Sequence, residues 1–308
     1  MPSPEAARAI QEWRNLVSGP RGTVAEIRQN IDEFFVKYPV LPEVKVEHAE
    51  VGGVPGDWLT APDADPARVV LYIHGGAFVL CSPRGYRPLG ARIAKATRAR
   101  TFLVDYGLAP EHPFPGAIQD SADAYRGILA QGVAPSSIVI AGDSAGGNLT
   151  MATLLSLRDA GVPLPAAGVC ISPWVDLECV GETMTSKADV DPLCTRDPMM
   201  VQAGLYLNGH SARDPLASPI HADLRGLPPL LIQVGSEETL LDDSRRLARR
   251  AEEAGVPVTL EIFEGMPHVW HAFASYLPEA REAIDKIGKF VDSRVAKAKT
   301  SASEKLSS

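Results

Sequence analysis

Six short runs dominated by valine, isoleucine and leucine punctuate the chain between Arg68 and Gly265: "RVVLYIHG", "RTFLVDYG", "SIVIAGDS", "AAGVCISP", "PLLIQVGS" and "VPVTLEIFEG". Helical patterns separate or follow them, at Tyr86 to Thr97, Ile118 to Gln131, Ala145 to Ala160, Asp242 to Ala254 and Glu279 to Lys297. A run that is apolar at every position has no solvent face, so it suits a strand buried on both sides. Strands of that kind with helical crossovers build a mainly parallel, doubly wound sheet. Upstream, "VKVEHAEV" and "VPGDWLTAP" alternate around Gly52-Gly53 and read as an antiparallel hairpin, which brings the expected count to eight strands.

Two amphipathic segments precede the hairpin. In the second, Val24, Ile27, Ile31, Phe34 and Phe35 fall on one helical face, as in a helix lying on a larger body. Residues 178–228, rich in proline, aspartate and methionine, contain no strand pattern. A connection that long inside a compact domain marks a functional insertion. The predicted organisation is therefore N-terminal cap helices at 1–45, an α/β core at 46–177 and 213–298, a cap insertion at 178–212, and a polar disordered tail at 299–308.

Of the 308 residues 45% are hydrophobic, enough for one large core, and the net charge of −8 comes without a basic stripe. That balance argues against nucleic acid as a partner. The first fifteen residues lack the basic start and apolar core of a signal peptide, and no apolar run approaches the ~18 residues of a membrane span, so a cytoplasmic protein without stable membrane insertion is expected. Cys81, Cys170, Cys179 and Cys194 have neither metal-binding nor disulfide-framework spacing, and read as reduced thiols, with Cys170 a small core residue.

The chemistry concentrates where "SIVIAG" meets a helix. Ser144 stands at that joint, and Gly142 and Gly146 let the backbone bend sharply enough to expose its hydroxyl, with Ala145 offering an amide at the helix start. A G-x-S-x-G string alone is weak; its place at the carboxyl end of a buried strand makes it strong. A serine nucleophile needs a base, and the base needs an orienting acid. Of His210, His221, His268 and His271, which follow Ser144, His268 in "FEGMPHVWHAF" lies just after the last strand and is the expected base, while His271 is expected to begin the next helix. Glu237, Glu238, Asp242 and Asp243 follow "PLLIQVG"; the two aspartates suit the positive end of the next helix, and spacing leaves Glu237 and Glu238 open. "LYIHGGAF" places glycines directly after another central strand, so the amides of Gly75, Gly76 and Ala145 are the expected oxyanion donors.

"HGGAF", "DYGLAPEHPFPGAIQD", "GDSAGGNL", "ISPWVDL", "DPLASPIHADLRGLPPLLIQVG" and "FEGMPHVW" together resemble the hormone-sensitive-lipase-like branch of the α/β-hydrolase family, from about Val69 to the last helix. The resemblance implies an α/β-hydrolase fold with a helical cap, a carboxylesterase acting on short acyl esters, and no metal or cofactor. It implies Ser144 as nucleophile, His268 as base and, from "ETLLD", Glu238 as acid, where the family commonly has aspartate. His74 resembles a structural histidine under the oxyanion loop, and Ala77 replaces the last glycine of the motif while keeping its amide. Gly107 stands where an arginine is usual, which is expected to loosen packing beneath the site. Relatives often dimerise through the last strand and helix, so a homodimer is among the expectations. A lipase for long acyl chains is the runner-up, disfavoured by the polar insertion; a non-catalytic receptor of this fold is disfavoured by His268.

Overall fold

The computed structural model describes residues 2–19 and 22–295, so the tail expected at 299–308 lies outside the described residues. Eight strands form one sheet in the order β1-β2-β4-β3-β5-β6-β7-β8: β1 Lys45–Val51, β2 Val54–Thr60, β3 Asp65–Ile73, β4 Ala99–Val104, β5 Ile138–Asp143, β6 Ala167–Ile171, β7 Leu230–Gly235 and β8 Val258–Phe263. The β1–β2 and β2–β4 pairings are antiparallel and all the others parallel. Gly52 and Gly53 turn the hairpin with φ of 64° and 81°, values a side chain would strain.

The apolar runs are continuous because successive residues serve two cores. Val69, Leu71 and Ile73 of β3 join one apolar layer with Ile140 and Leu149; Val70 and Tyr72 join the other with Val139 and Ile171. Helices α4 (Gly116–Ala130), α5 (Ala145–Asp159) and α8 (Leu241–Glu253) cover the first face, and α3 (Pro83–Thr97) and α9 (Pro278–Arg294) the second. The two edge strands depart from the pattern: β1 and β8 both mix polar and half-buried or exposed positions.

The N-terminal segment forms α1 (Pro4–Val17) and α2 (Val24–Phe35). Thr23 and Glu26 make a reciprocal capping box that starts α2. Phe34 and Phe35 enclose Trp13 of α1 together with Phe273, at ring separations of 4.9–5.9 Å. The insertion carries a single turn, α6 (Thr183–Ser186), and a longer helix, α7 (Arg196–Leu207). Both segments bond to loops at the carboxyl ends of the strands: Arg28 of α2 donates to the Val79 carbonyl at 2.7 Å, and Asp191 of the insertion accepts from the Thr239 amide at 2.8 Å.

Candidate active site

At the end of β5 the chain turns into α5 through one residue. Ser144 has φ 54° and ψ −119°, a conformation that typically costs about 1–3 kcal/mol for a side-chain-bearing residue. The surroundings over-determine it: its amide donates to the Ile171 carbonyl at 2.8 Å, and its own carbonyl accepts from Asn148 at 3.1 Å and Trp174 at 3.0 Å. The flanking glycines are obligatory at this closeness. A Cβ on Gly146 would sit 2.0 Å from the Ile73 carbonyl oxygen, and one on Gly142 would sit 2.3 Å from the Gly146 oxygen. In the run from Ile138 to Leu155, Ser144 alone escapes full burial. Its hydroxyl makes no hydrogen bond with any described residue.

Strands β6, β7 and β8 end beside β5 in sheet order, and strands spaced about 4.8 Å apart bring their carboxyl-end loops within side-chain reach. Glu238, after β7, is fully buried. Its Oε1 accepts from the Gly235 amide at 2.7 Å and from the Ser172 hydroxyl at 2.8 Å, while Oε2 lies 2.8 Å from His268 Nδ1. Glu237 points elsewhere, pairing with Lys187 at 3.2 Å. The structure thus separates the two glutamates that spacing left open. Behind the histidine, the Trp13 indole N–H donates to the His268 carbonyl at 2.8 Å.

Burial works against charge on the His268 ring, but the Cys194 sulfur and the Glu238 carboxylate oppose it, and the net displacement is well above the ordinary histidine value. Burial pushes the Cys194 thiol itself up to about 11, so at neutral pH it is uncharged and Glu238 is the charge that retains the imidazole proton. The remaining histidines do other work. His271 lies in a short turn, Trp270–Phe273, ahead of α9, which begins only at Pro278; its Nε2 is 2.8 Å from Gln233 Oε1, and burial pushes it down to about 3. His74 is buried and stacks on Tyr106 at 4.4 Å, with Nδ1 2.7 Å from the Gly75 oxygen, and burial lowers it to about 4, which suits a neutral support. His210 packs edge-on to Phe114, and His221 lies 3.3 Å from Glu178.

One expected oxyanion donor is already engaged. The Gly75 amide donates to Asp143 Oδ1 at 3.2 Å. That buried carboxylate also accepts from the hydroxyls of Tyr72 at 2.9 Å and Tyr86 at 2.7 Å; burial raises its pKa to about 6 although both hydroxyls pull it down. The next three residues, Gly76, Ala77 and Phe78, all have positive φ, 108°, 52° and 64°. The Gly76, Ala77 and Ala145 amides donate to no described residue. Of the expected donors, Gly76 and Ala145 thus have amides free of protein acceptors, as does Ala77, while the Gly75 amide is shared with Asp143. The alanine in the motif was the available signal, since its amide survives the loss of glycine.

Asp242 and Asp243 occupy the first turn of α8 as expected, but Asp243 does more: it is buried, and its Oδ2 accepts from the Val175 and Asp176 amides at 3.0 Å each. Gly107 loosens nothing. His112 fills the space where a side chain would start, its Cβ and Cγ 2.7 Å from a Cβ built there. All four cysteines are free and buried. Asp176, Glu178 and His221 bring three metal-capable atoms within 4.8 Å, yet Arg246 already pairs with Asp176 at 2.9 Å and Arg213 with Glu178 at 3.5 Å. No helix among the described residues is long and apolar enough to cross a membrane.

A family model described as the alpha/beta hydrolase fold matches residues 70–272. The chain is 47% identical over 241 residues to a protein named acetyl-hydrolase from Streptomyces hygroscopicus, covering 78% of this chain and 80% of that one. Among solved structures, an esterase from the bacterial hormone-sensitive lipase family has a TM-score of 0.94 at 46% identity, covering 96% of this chain and all of the other. EstE5, in a structure soaked with p-nitrophenyl butyrate, has a TM-score of 0.91 at 40% identity, covering 95% of this chain and 99% of that one.

Proposed function

The chain belongs to the α/β-hydrolase fold family, in its bacterial hormone-sensitive-lipase-like branch, and as a carboxylesterase of that branch we propose that it hydrolyses short acyl esters through a Ser144–His268–Glu238 triad. The observation that carries this reading is the buried Glu238–His268 hydrogen bond, at the same end of the sheet as the only incompletely buried residue of the elbow. Ser144 Oγ attacks the ester carbonyl while His268 Nε2 takes its proton. The Gly76, Ala77 and Ala145 amides receive the developing negative charge. Each such donor typically lowers the barrier by about 2.7–4 kcal/mol. His268 then returns its proton to the departing alcohol, and water, activated by the same nitrogen, releases the acid from the acyl-serine. Glu238 holds the ring in the tautomer that leaves Nε2 free to accept.

Two observations support a short acyl group. Phe78, directly after the free amides, stacks on Tyr206 of α7 at 3.9 Å with an interplanar angle of 8°. Trp174, whose amide bonds Ser144, lies 5.6 Å from the Phe78 ring. These aromatic groups fill space beside the elbow that a long chain would need. The relative named acetyl-hydrolase and the butyrate ester soaked into EstE5 point the same way.

Rates across a series of p-nitrophenyl esters, from acetate to palmitate, test the proposal, with Ser144→Ala and His268→Ala as controls. A maximum at two to six carbons and a loss of several orders of magnitude in each variant are expected. A maximum at long chains would identify a lipase. Undiminished turnover in Ser144→Ala would refute the serine mechanism.

A further inference from the structure

We infer that Asp191 is a positioning residue for Glu238, clamping the loop that carries this carboxylate to the cap insertion so that the triad is complete only while the insertion is seated. The inference rests on the reading of Glu238 as the orienting acid. Asp191 is 3% exposed. Its Oδ1 accepts from the Leu193 amide at 2.8 Å and the Cys194 amide at 2.9 Å, which folds the insertion's own chain around it. Its Oδ2 accepts from the Thr239 amide at 2.8 Å, across to the residue directly after Glu238.

Thr239 shows how far the acid's loop depends on the insertion. Its hydroxyl donates to the Cys194 carbonyl at 2.6 Å, and its carbonyl accepts from the Thr183 hydroxyl at 2.6 Å. With the amide on Asp191, all three polar groups of Thr239 find partners in the insertion. Two further ties flank them: the Asp242 amide on the Thr183 hydroxyl at 2.9 Å, and Lys187 with Glu237 at 3.2 Å. Asp191 makes no ion pair among the described residues, so its buried carboxylate is satisfied by neutral donors alone. Such a group is costly to bury, and removing it strands two buried amides, those of Cys194 and Thr239, and the half-buried amide of Leu193. The same clamp sets Cys194, held at both amide and carbonyl, against the His268 ring. Asp191 therefore acts on the acid and on the surroundings of the base without touching substrate.

Asp191→Asn tests this, because it keeps the shape but presents an amide NH2 to one of the two sets of N–H groups. We expect kcat for a short p-nitrophenyl ester to fall about 10–100-fold, the penalty of misplacing a catalytic group by around 1 Å, with KM changed less than about twofold. In a Glu238→Gln background the same substitution should cost nothing further, because the group it positions is gone. Thr239→Val, which removes the hydroxyl's bonds to the Cys194 carbonyl and to Asp191 Oδ2 but leaves the amide bond to Asp191, should give a smaller kcat loss with the same dependence on Glu238, and thermal melting confirms that each variant is folded. An equal loss in both backgrounds, or a change confined to KM, overturns the inference while leaving the triad standing. Wild-type activity in Glu238→Gln itself would overturn the triad and the inference with it.

Discussion

Ser172 follows β6 as Ser144 follows β5, and it connects Glu238 to the loop that carries His268: its hydroxyl donates to Glu238 Oε1 at 2.8 Å and accepts from the Val269 amide at 3.3 Å. Replacing it by alanine leaves the backbone at φ 45° no more strained than before, since both residues carry a Cβ. The chemical change is the loss of one hydrogen bond to a carboxylate and of the longer bond from the Val269 amide, of which the first is the stronger. Bonds to charged groups contribute about 1.5–3 kcal/mol, and the Gly235 amide at 2.7 Å remains as the other donor on that oxygen. If the loss is expressed in the transition state, where the developing imidazolium needs a fixed counter-charge, each 1.36 kcal/mol is a factor of ten. Ser172→Ala is thus expected to lower kcat about 10–150-fold, with little effect on KM because the hydroxyl is fully buried and engaged by Glu238 and Val269. Steady-state kinetics on p-nitrophenyl acetate together with a melting curve provide the assay. A variant that melts earlier yet keeps kcat within twofold of wild type would mean that Ser172 supports the sheet alone, and the argument would fail.

The two glutamates offer a sharper contrast. Glu238→Gln should cut turnover by about 10⁴, as loss of a triad acid does, whereas Glu237→Gln weakens half-buried contacts with Lys187 and the Ser236 hydroxyl and should stay within about twofold; the reverse order would exchange their roles. The upward displacement of His268 fixes the sign of the pH dependence. A base must be neutral to accept a proton, so kcat/KM should fall as pH drops through the histidine's raised pKa, and the midpoint of that acidic limb should lie above 6.5. A midpoint below 6.5 would show that Glu238 does not hold the imidazole proton as described.

The sheet was legible because its signal is local: each central strand announces burial on both faces by being apolar throughout, and each crossover announces itself by period. The elbow was legible for a related reason, since two glycines and a serine at one joint state a backbone requirement that few other residues meet. Glu238 was harder. It differs from Glu237 by one position, and what separates them is the approach of Ser172 and Gly235 from other parts of the chain. The bond made by the Gly75 amide had no sign in the sequence either, because the carboxylate it meets, Asp143, belongs to the neighbouring strand β5. Trp13, Asp191 and Cys194 gave no local sign at all, because their relation to the His268 and Glu238 loops exists only after the N-terminal helices and the insertion dock.

The indole that steadies the back of His268 precedes it by 255 residues. At ribosomal rates of about 5–20 residues per second, α1 leaves the ribosome roughly 10–50 s before its acceptor has been synthesised. During that interval Trp13 can close on Phe34 and Phe35 of α2, but its other two partners, the Phe273 ring and the His268 carbonyl, do not yet exist. The first helix made completes its seat only at the end, so hydrolytic competence arrives with the finished chain and a nascent fragment, however well its early strands have paired, carries none.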